Sequence, residues 1–265
     1  MNQTPAISIA QVTDTHLFVT EEQELLGIPT IKSFQAVVKR LEEMRSELDL
    51  ILLTGDISGD GTETSYETVQ NLLRPLQIPT YWVPGNHDSA IAMDEILNLG
   101  LISRRKCFER GGWNFILLDS TVPDCVHGCL SSATLTWLDR QLQTNRDKPT
   151  LIALHHPPFA VNCQWLDSIG LHHPEEFFAV IDKYPQVQLV LLGHIHQEFH
   201  YQRREVDYLG TPSTCVQFLP KSPQFAVDSK PPGFRIVELY SNGTWKSKIE
   251  RVPFFHAVEL AATGY

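Results

Sequence analysis

The 265-residue chain has few cysteines and a shortage of positive charge. Its five cysteines are an odd number, and no two of them form a CxxC pair. A disulfide framework is therefore not expected, and we expect the protein in a reducing cytoplasm. With 31 acidic and 21 basic side chains, the formal net charge is −10. Because an acidic protein repels polyanions, we expect neither nucleic acid nor a membrane surface as a partner.

Long apolar runs are missing as well. No run of 18 or more apolar residues occurs, so the sequence predicts no membrane-spanning helix. Residues 1–12 have no basic segment and no long apolar stretch, and they do not resemble a signal peptide. Hydrophobic residues make up 42% of the chain and charged residues 20%, which is typical of a soluble globular enzyme.

What the sequence does contain is a regular alternation of short apolar runs and amphipathic segments. The runs are rich in Ile, Leu and Val, as in strands that are buried on both faces. Six of them lie at 6–12, 49–53, 80–83, 114–118, 151–154 and 188–192. Apolar residues at helical spacing occupy 31–44, 66–73, 135–142 and 177–181, with Ser131 as an expected N-cap and Pro174 as an expected helix start. This alternation predicts an α/β layered fold.

The chain after residue 205 has a different character. Runs at 206–209, 214–219, 234–240 and 244–251 resemble strands with turns between them. We expect residues 206–251 to supply much of a second, more antiparallel sheet. Residues 221–233 are rich in Pro, Ser and Lys and are expected to form a surface loop. Since no repeat or linker interrupts the chain, residues 1–265 are predicted to be a single domain.

Side chains able to bind metal follow five of the first six apolar runs directly. They are Asp14 and His16, then Asp56, then Asn86 and His87, then His155 and His156, and finally His194 and His196. In open α/β sheets, ligands bind beyond the carboxyl ends of the strands, so these side chains are expected to converge. Gly55, Gly85 and Gly193 stand at three of the exits, where the chain must turn sharply.

The types of side chain restrict the metal. Carboxylate, imidazole and amide oxygen suit Mn, Fe, Zn, Co or Ni rather than calcium, and the lack of a thiolate disfavours a structural zinc site. Seven ligands exceed the needs of one tetrahedral ion, so we expect two ions, about 3.5–4 Å apart and bridged by a carboxylate. Asp56 is the candidate bridge, because a single carboxylate can present one oxygen to each ion.

These motifs resemble the calcineurin-like metallophosphoesterase superfamily over about residues 6–200. The resemblance lies in Asp14-x-His16, Gly55-Asp56, Gly85-Asn86-His87-Asp88, His155 and Gly193-His194-x-His196. More narrowly, the chain is similar to the bacterial class III 3′,5′-cyclic AMP phosphodiesterases, and this similarity extends to the C-terminus. It is carried by the segments around Phe18, Leu25-Leu26-Gly27, Cys163-Gln164-Trp165-Leu166-Asp167, Gln197-Glu198 and 211–218.

The resemblance implies a fold, a ligand set and a role for each ligand. The fold is a four-layer αββα sandwich of two mixed sheets flanked by helices. The first ion would be held by Asp14, His16, Asp56 and His196, and the second by Asp56, Asn86, His155 and His194. His16, Asn86, His87 and His196 would contact the substrate. The ions are expected to be Fe or Mn, with Zn, Co or Ni as alternatives, and members of the family are often oligomers.

The implied activity is that of a metal-dependent phosphoric diester hydrolase. Two cations would lower the pKa of a bridging water, and the resulting hydroxide would attack the phosphorus of 3′,5′-cyclic AMP or another cyclic nucleotide. His87 would stabilise the transition state or protonate the leaving 3′ oxygen, and the product would be a 5′-nucleotide.

Several alternatives stay open at this stage. The metal ligands handle only the phosphate, so a glycerophosphodiesterase, a nucleotide hydrolase or a broad-specificity phosphodiesterase would have the same core. A non-catalytic metal-binding module is a further alternative, although such a protein should have lost ligands, and none is missing here. His156 is expected to line the rim or to support a ligand, and Asp88 to orient a neighbour. Trp165 and Phe218 are either packing residues or partners for a base.

Overall fold

Eighteen strands and six α-helices make up the regular structure of residues 4–264, the part of the chain that this computed structural model describes. The strands are β1 (Ile7–Val12), β2 (Glu24–Leu25), β3 (Ile28–Pro29), β4 (Leu50–Thr54), β5 (Thr80–Val83), β6 (Ile102–Ser103), β7 (Cys107–Arg110), β8 (Trp113–Leu117), β9 (Gly128–Cys129), β10 (Thr150–Leu154), β11 (Leu171–His172), β12 (Val187–Leu192), β13 (Phe199–Arg203), β14 (Val206–Gly210), β15 (Gln217–Phe218), β16 (Val227–Asp228), β17 (Gly233–Leu239) and β18 (Trp245–Arg251). The helices are α1 (Thr30–Glu43), α2 (Glu63–Leu73), α3 (Ala90–Ile96), α4 (Ser132–Thr144), α5 (Gln164–Asp167) and α6 (Pro174–Ile181), and short 3₁₀ turns lie at Arg45–Glu47 and Arg74–Leu76.

Twelve of the strands form two six-stranded mixed sheets. The first has the order β18-β17-β1-β4-β5-β6, and the second has the order β13-β14-β12-β10-β8-β7. The four strands β1, β4, β5 and β6 are parallel, and so are β8, β10, β12 and β14, whereas the antiparallel strands lie toward the edges. The other six strands pair as three short ribbons, β2-β3, β9-β11 and β15-β16.

Three apolar clusters stack these elements into four layers. Alternate residues of a strand point to opposite faces, so each sheet has two faces to bury. Ile9 of β1 packs with Leu189 of β12 in a cluster between the sheets. On the other faces, Val12 packs with Phe34 of α1, and Leu192 packs with Leu138 of α4. The predicted αββα sandwich is thereby confirmed.

The predicted strands and helices of the first 192 residues are confirmed to within a residue or a few. Ser131 caps α4 by accepting the backbone N–H of Thr134, and Pro174 is the first residue of α6. The short helices α3 and α5 and the short edge strands β6 and β7 were not predicted, since they are too brief to show periodicity. In residues 4–264, no helix has the length and apolar character needed to cross a membrane.

The expectation that residues 206–251 supply much of the second sheet is wrong. Only β14 joins that sheet, whereas β17 pairs with β1 and β18 extends the first sheet. The reason is burial: β17 is buried along nearly its whole length, so it takes a position inside a sheet, between β1 and β18. Within 214–219, only β15 is a strand. That residues 1–265 form a single domain stays a prediction, and residues 1–3 and 265 lie outside the described residues.

Candidate metal centre

The predicted ligands lie at the carboxyl ends of adjacent parallel strands. Asp14 and His16 follow β1, Asp56 follows β4, Asn86 and His87 follow β5, His155 follows β10, and His194 and His196 follow β12. Strands β1, β4 and β5 are neighbours in the first sheet, and β10 and β12 are neighbours in the second. Each sheet therefore contributes about half of one shared cluster.

The first group of side chains consists of Asp14, His16 and His196. One ligand atom of each lies within 4.8 Å of the others. His196 Nε2 is 3.1 Å from His16 Nε2 and 3.5 Å from Asp14 Oδ1. All three side chains are at most 1% exposed.

The second group is built around His155, and Asp56 joins the two groups. His155 Nε2 lies 3.3 Å from His194 Nδ1 and 3.3 Å from Asp56 Oδ2. The same Oδ2 atom lies 3.8 Å from His16 Nε2 of the first group. One carboxylate oxygen thus faces both groups, which is the arrangement a bridging ligand requires.

Hydrogen bonds at the far side of two imidazoles determine which ring nitrogen faces the cluster. His155 Nδ1 lies 2.8 Å from the carbonyl oxygen of Thr54, and His196 Nδ1 lies 2.7 Å from that of Val216. A carbonyl only accepts, so both rings donate from Nδ1. In the neutral ring, Nε2 then presents a lone pair to the cluster, as a metal-binding histidine held by an outer partner does.

Asn86 completes the fit of this cluster to cations. Its Oδ1 is buried, and it has no hydrogen-bond partner among the described residues; the same holds for His194 Nε2. A buried acceptor without a donor is costly unless an ion or a water satisfies it. A carboxylate, an amide oxygen and facing imidazole nitrogens are ligands suited to first-row divalent metals.

The charge states also suit metal binding. Burial lowers the pKa of His16 well below its usual range, and burial, assisted by His155, lowers the pKa of His194 to about 3. Burial would raise the pKa of Asp56, but the neighbouring His155 and His16 hold it well below its usual range. Burial opposes charge on His155, yet Asp56 outweighs this and raises the pKa of His155 to about 9. An incoming cation must therefore displace a proton from His155.

Five of the seven predicted ligands have left-handed backbone. The φ angles are 54° at Asp14, 45° at His16, 49° at Asp56, 69° at His194 and 48° at His196. Positive φ is uncommon outside glycine and, clustered at one site, is a sign of functional constraint. Gly55, at φ 93°, continues this pattern, and a Cβ at Gly85 would overlap with Asp56 Oδ1.

Asp88 connects the Asp56 loop with the Asn86–His87 loop. Its carboxylate accepts the backbone N–H groups of Ile57 at 3.1 Å, Ser58 at 2.9 Å and Gly85 at 2.9 Å, and it lies 3.2 Å from Tyr66 Oη. These contacts support the interpretation that Asp88 orients its neighbours. His87 is half-buried, its backbone N–H donates to Asp56 Oδ1 at 3.0 Å, and its ring lies edge-on to His16.

His156 lies behind the cluster rather than at its rim. Its Nε2 donates to the Val126 carbonyl at 3.1 Å, and its Nδ1 lies 2.8 Å from Ser120 Oγ. The ring is fully buried, 4.8 Å from the ring of His194. Of the two roles left open for His156, these contacts favour the support of a ligand.

Sequence patterns did not indicate every part that holds the site. The supporting carbonyls of Thr54 and Val216 are backbone atoms, so no side-chain motif marks them. Phe218 stacks on His196, with ring centres 4.1 Å apart and planes inclined by 11°. Trp165 packs against Phe218 at 4.9 Å. Both aromatic residues therefore act as packing residues here, and Phe218 holds the flat face of a predicted ligand.

Fold and site together define a metallophosphoesterase, and comparison with known proteins agrees. Residues 7–198 match the family model described as calcineurin-like phosphoesterase, and the chain belongs to that family. It is 60% identical over 263 residues to a 3′,5′-cyclic-nucleotide phosphodiesterase of Nostoc sp., covering 99% of each chain. It is 38% identical over 247 residues to the 3′,5′-cyclic adenosine monophosphate phosphodiesterase CpdA of Escherichia coli (strain K12), covering 93% of this chain and 90% of that protein.

Solved structures give the same fold. A dimetal phosphatase from Danio rerio superposes with a TM-score of 0.72 at 15% identity, covering 97% of this chain and all of the other. The purple acid phosphatase PPD1 from yellow lupin gives 0.67 at 12% identity, covering 93% of this chain and 52% of that one. At such low identity, these likenesses concern the fold alone.

Proposed function

We propose that this protein is a metal-dependent phosphodiesterase that hydrolyses 3′,5′-cyclic AMP, and other cyclic nucleotides, to the 5′-nucleotide. One observation carries the proposal: a single oxygen of Asp56 faces two groups of buried imidazole and carboxylate ligands. The relatives named above, one of them 60% identical over nearly the whole chain, support the choice of substrate.

The residues divide between two cation positions. Asp14, His16, Asp56 and His196 would hold the first cation, and Asp56, Asn86, His155 and His194 the second. Bound there, divalent cations supply an activated water near neutral pH and neutralise the charge of the phosphate. The two cations are proposed to be iron or manganese, with zinc, cobalt or nickel as alternatives.

The protein supplies orientation and a proton. We propose that the side chains of His16, Asn86, His87 and His196 would contact the substrate. Because His87 is half-buried and held through its backbone by Asp56, its ring can reach a substrate without leaving the site. It would stabilise the transition state or protonate the 3′ oxygen as the phosphorus–oxygen bond breaks.

A panel of substrates on the reconstituted protein tests the proposal. Rates would be compared for cyclic AMP, glycerophosphocholine, 5′-nucleotides and a chromogenic diester, with each of the five metals. We expect the highest kcat/KM for cyclic AMP and a 5′-monophosphate as product. A preference for glycerophosphocholine would favour the glycerophosphodiesterase alternative, and no hydrolysis of any ester with any metal would overturn the proposal.

Asp119 provides a matched control for the ligand assignments. Like Asp56, it follows a strand of a central sheet, but its carboxylate already accepts hydrogen bonds from the backbone N–H and hydroxyl of Thr121 at 2.9 and 2.7 Å. We expect Asp119→Asn to keep bound metal and activity, whereas Asp56→Asn should lose both. The cytoplasmic location, the oligomeric state and the absence of nucleic-acid and membrane partners stay predictions.

A further inference from the structure

A large cavity lies beside the C-terminal segment, and none of the predicted ligands lines it. It measures about 750 Å³, and its wall includes Val216, Asp228, Lys230, Arg251, Phe254 and Val258; we call it the tail cavity. This volume falls in the range of pockets that bind nucleotide-sized molecules, roughly 300–1,000 Å³. The wall also adjoins the metal centre, because Val216 is the residue whose carbonyl holds His196.

Arg251 brings an unused pair of donors to this cavity. Its Nη1 donates to Gln217 Oε1 at 3.0 Å and to the Pro231 carbonyl at 2.7 Å. These two bonds fix the guanidinium plane. Within residues 4–264, no hydrogen bond uses Nε or Nη2, and no carboxylate forms an ion pair with Arg251. The Nε/Nη2 edge is the fork that binds a carboxylate or a phosphate through two parallel hydrogen bonds.

Two carboxylates, Glu198 and Asp228, act electrostatically on Arg251, but among the described residues neither lies within ion-pair distance of its guanidinium. Asp228, the acidic residue in the cavity wall, is paired with Lys230, at 3.3 Å between Oδ2 and Nζ. His256 pairs with Glu24 outside the cavity, at 3.4 Å. Among the residues that line the cavity, Lys230 and Arg251 are cationic and Asp228 is anionic, so the wall itself contains one more positive than negative side chain.

The rest of the wall suits a flat apolar body. Ile28, Val216, Val258 and three prolines form apolar sides, and Phe254, Phe255 and His256 add three successive rings. Phe255 is 96% exposed, although it lines the cavity. A ring stacked against it would remove apolar surface from water, which at about 25 cal/mol per Å² favours binding.

From this geometry we infer that the tail cavity is a second ligand site, which binds an aromatic anion. The Nε/Nη2 edge of Arg251 holds the anionic group, and the aromatic rings of the C-terminal segment cover the flat body. A purine nucleotide and an aromatic carboxylate share this chemistry, and the experiment separates them.

The test uses the full, metal-loaded protein and the fluorescent probe 1-anilinonaphthalene-8-sulfonate, an aromatic anion. We expect saturable binding of the probe. The affinity should decrease about tenfold or more in Arg251→Met, because this variant loses one charge-assisted pair of hydrogen bonds. Arg251→Lys should also weaken binding, since it keeps the charge but not the fork. Arg204→Met, which removes an exposed arginine that pairs with Asp182, is the matched control and should bind like the wild type.

A second variant keeps the test decisive if Arg251→Met fails to fold. Ser229→Trp places a large side chain in the cavity from an exposed wall position and leaves Arg251 intact. It too should reduce binding at least tenfold. Unchanged probe affinity in both Arg251→Met and Ser229→Trp overturns the inference.

Competition then identifies the ligand class. Displacement of the probe by 5′-AMP supports a nucleotide site, and displacement by 1-naphthoate but not by 5′-AMP supports an aromatic carboxylate. If neither 5′-AMP nor 1-naphthoate displaces the probe, the aromatic anion site is contradicted. The same conclusion follows if inorganic phosphate displaces the probe as readily as these two compounds do. Because probe binding is independent of phosphate ester hydrolysis, its failure is distinguishable from a failure of the proposed activity.

Discussion

At the scale of single residues, the candidate metal centre combines buried side chains with an unfavourable backbone conformation. His16, with φ 45°, is a ring-bearing residue in a region that glycine occupies far more readily. The first sheet and the loops around it hold this conformation. Residual strain at the ligands should therefore be measurable when their side chains are removed.

We predict that His16→Gly is more stable than His16→Ala in the metal-free protein. Both lose the imidazole, but only glycine relieves the left-handed backbone, a difference of up to about 1 kcal/mol in the free energy of unfolding. Urea denaturation with a chelator present measures it. His155 is the control, because its φ is not positive: there, alanine should be the more stable replacement.

For the reaction itself, we predict that His87→Ala retains both metal ions but loses most turnover. His87 is not among the proposed ligands of either cation, although one of its ring nitrogens lies within 4.8 Å of ligand atoms of His16 and Asp56. Loss of a general acid typically reduces kcat by about 10²–10⁴. Metal content by mass spectrometry and kcat on cyclic AMP are the two measurements. The exposed His173→Ala serves as a control, and full activity in His87→Ala would remove this histidine from the mechanism.

The convergence of the candidate ligands could be predicted from sequence because each follows a strongly apolar run. Their supports could not. The role of His156, for example, depends on Ser120 and Val126, which reach it only through the fold. Left-handed φ at the ligands also could not be predicted from sequence, since even Asp and His adopt it in only a minority of cases.

At the scale of elements, burial decides how well a strand can be predicted. Strands β4, β10 and β12 are buried nearly throughout, and their apolar runs identified them to within a residue. Strand β13 is largely exposed and shows no such run. The antiparallel placement of β17 beside β1 depends on which edge is free, and this is a property of the assembled sheet.

One partly buried lysine next to strand β7 offers a test of pH dependence. Lys106 Nζ lies 3.3 Å from the ring centre of Trp82 and donates to the Trp82 carbonyl at 2.7 Å. Burial lowers the pKa of Lys106 to about 7, below its value in an unfolded chain. Below pH 7 the folded protein therefore carries an unfavourable charge, and this penalty decreases as the pH rises from 7 toward 10.5.

We predict that the stability gained by Lys106→Met over the wild type is larger at pH 6.5 than at pH 9.5. Thermal unfolding of both proteins at the two pH values measures the difference in Tm. The exposed Lys248→Met is the control and should show no such trend. A gain that is independent of pH would contradict the burial of the lysine charge.

At the scale of the whole molecule, the metal centre joins the two sheets. Asp14, Asp56 and Asn86 belong to one sheet, and His155 and His194 to the other. Cations that bind only the folded protein raise its stability by about 2.7 kcal/mol at a hundredfold excess over Kd. The two layers of strands could be predicted from sequence. Which sheet would carry which candidate ligand could not, because local sequence does not determine the order of strands in a sheet.

We predict that a chelator lowers the Tm of the reconstituted protein by roughly 5–10 °C, the shift that this free energy produces in a domain of this size. Calorimetry with and without the chelator gives the value. His87→Ala should keep the full difference, whereas Asp56→Ala should lose most of it. Equal losses in both variants would argue against separate roles for the two residues.

The cluster between the sheets, in which Ile9 packs with Leu189, also sets the distance between the two halves of the site. A bulkier or smaller residue there would shift one half against the other without touching a ligand. Random mutagenesis for inactive variants should therefore recover substitutions deep in the sandwich as well as at its mouth. Substitutions in the interior could then change catalytic efficiency during evolution while the seven predicted ligands and His87 stay unchanged.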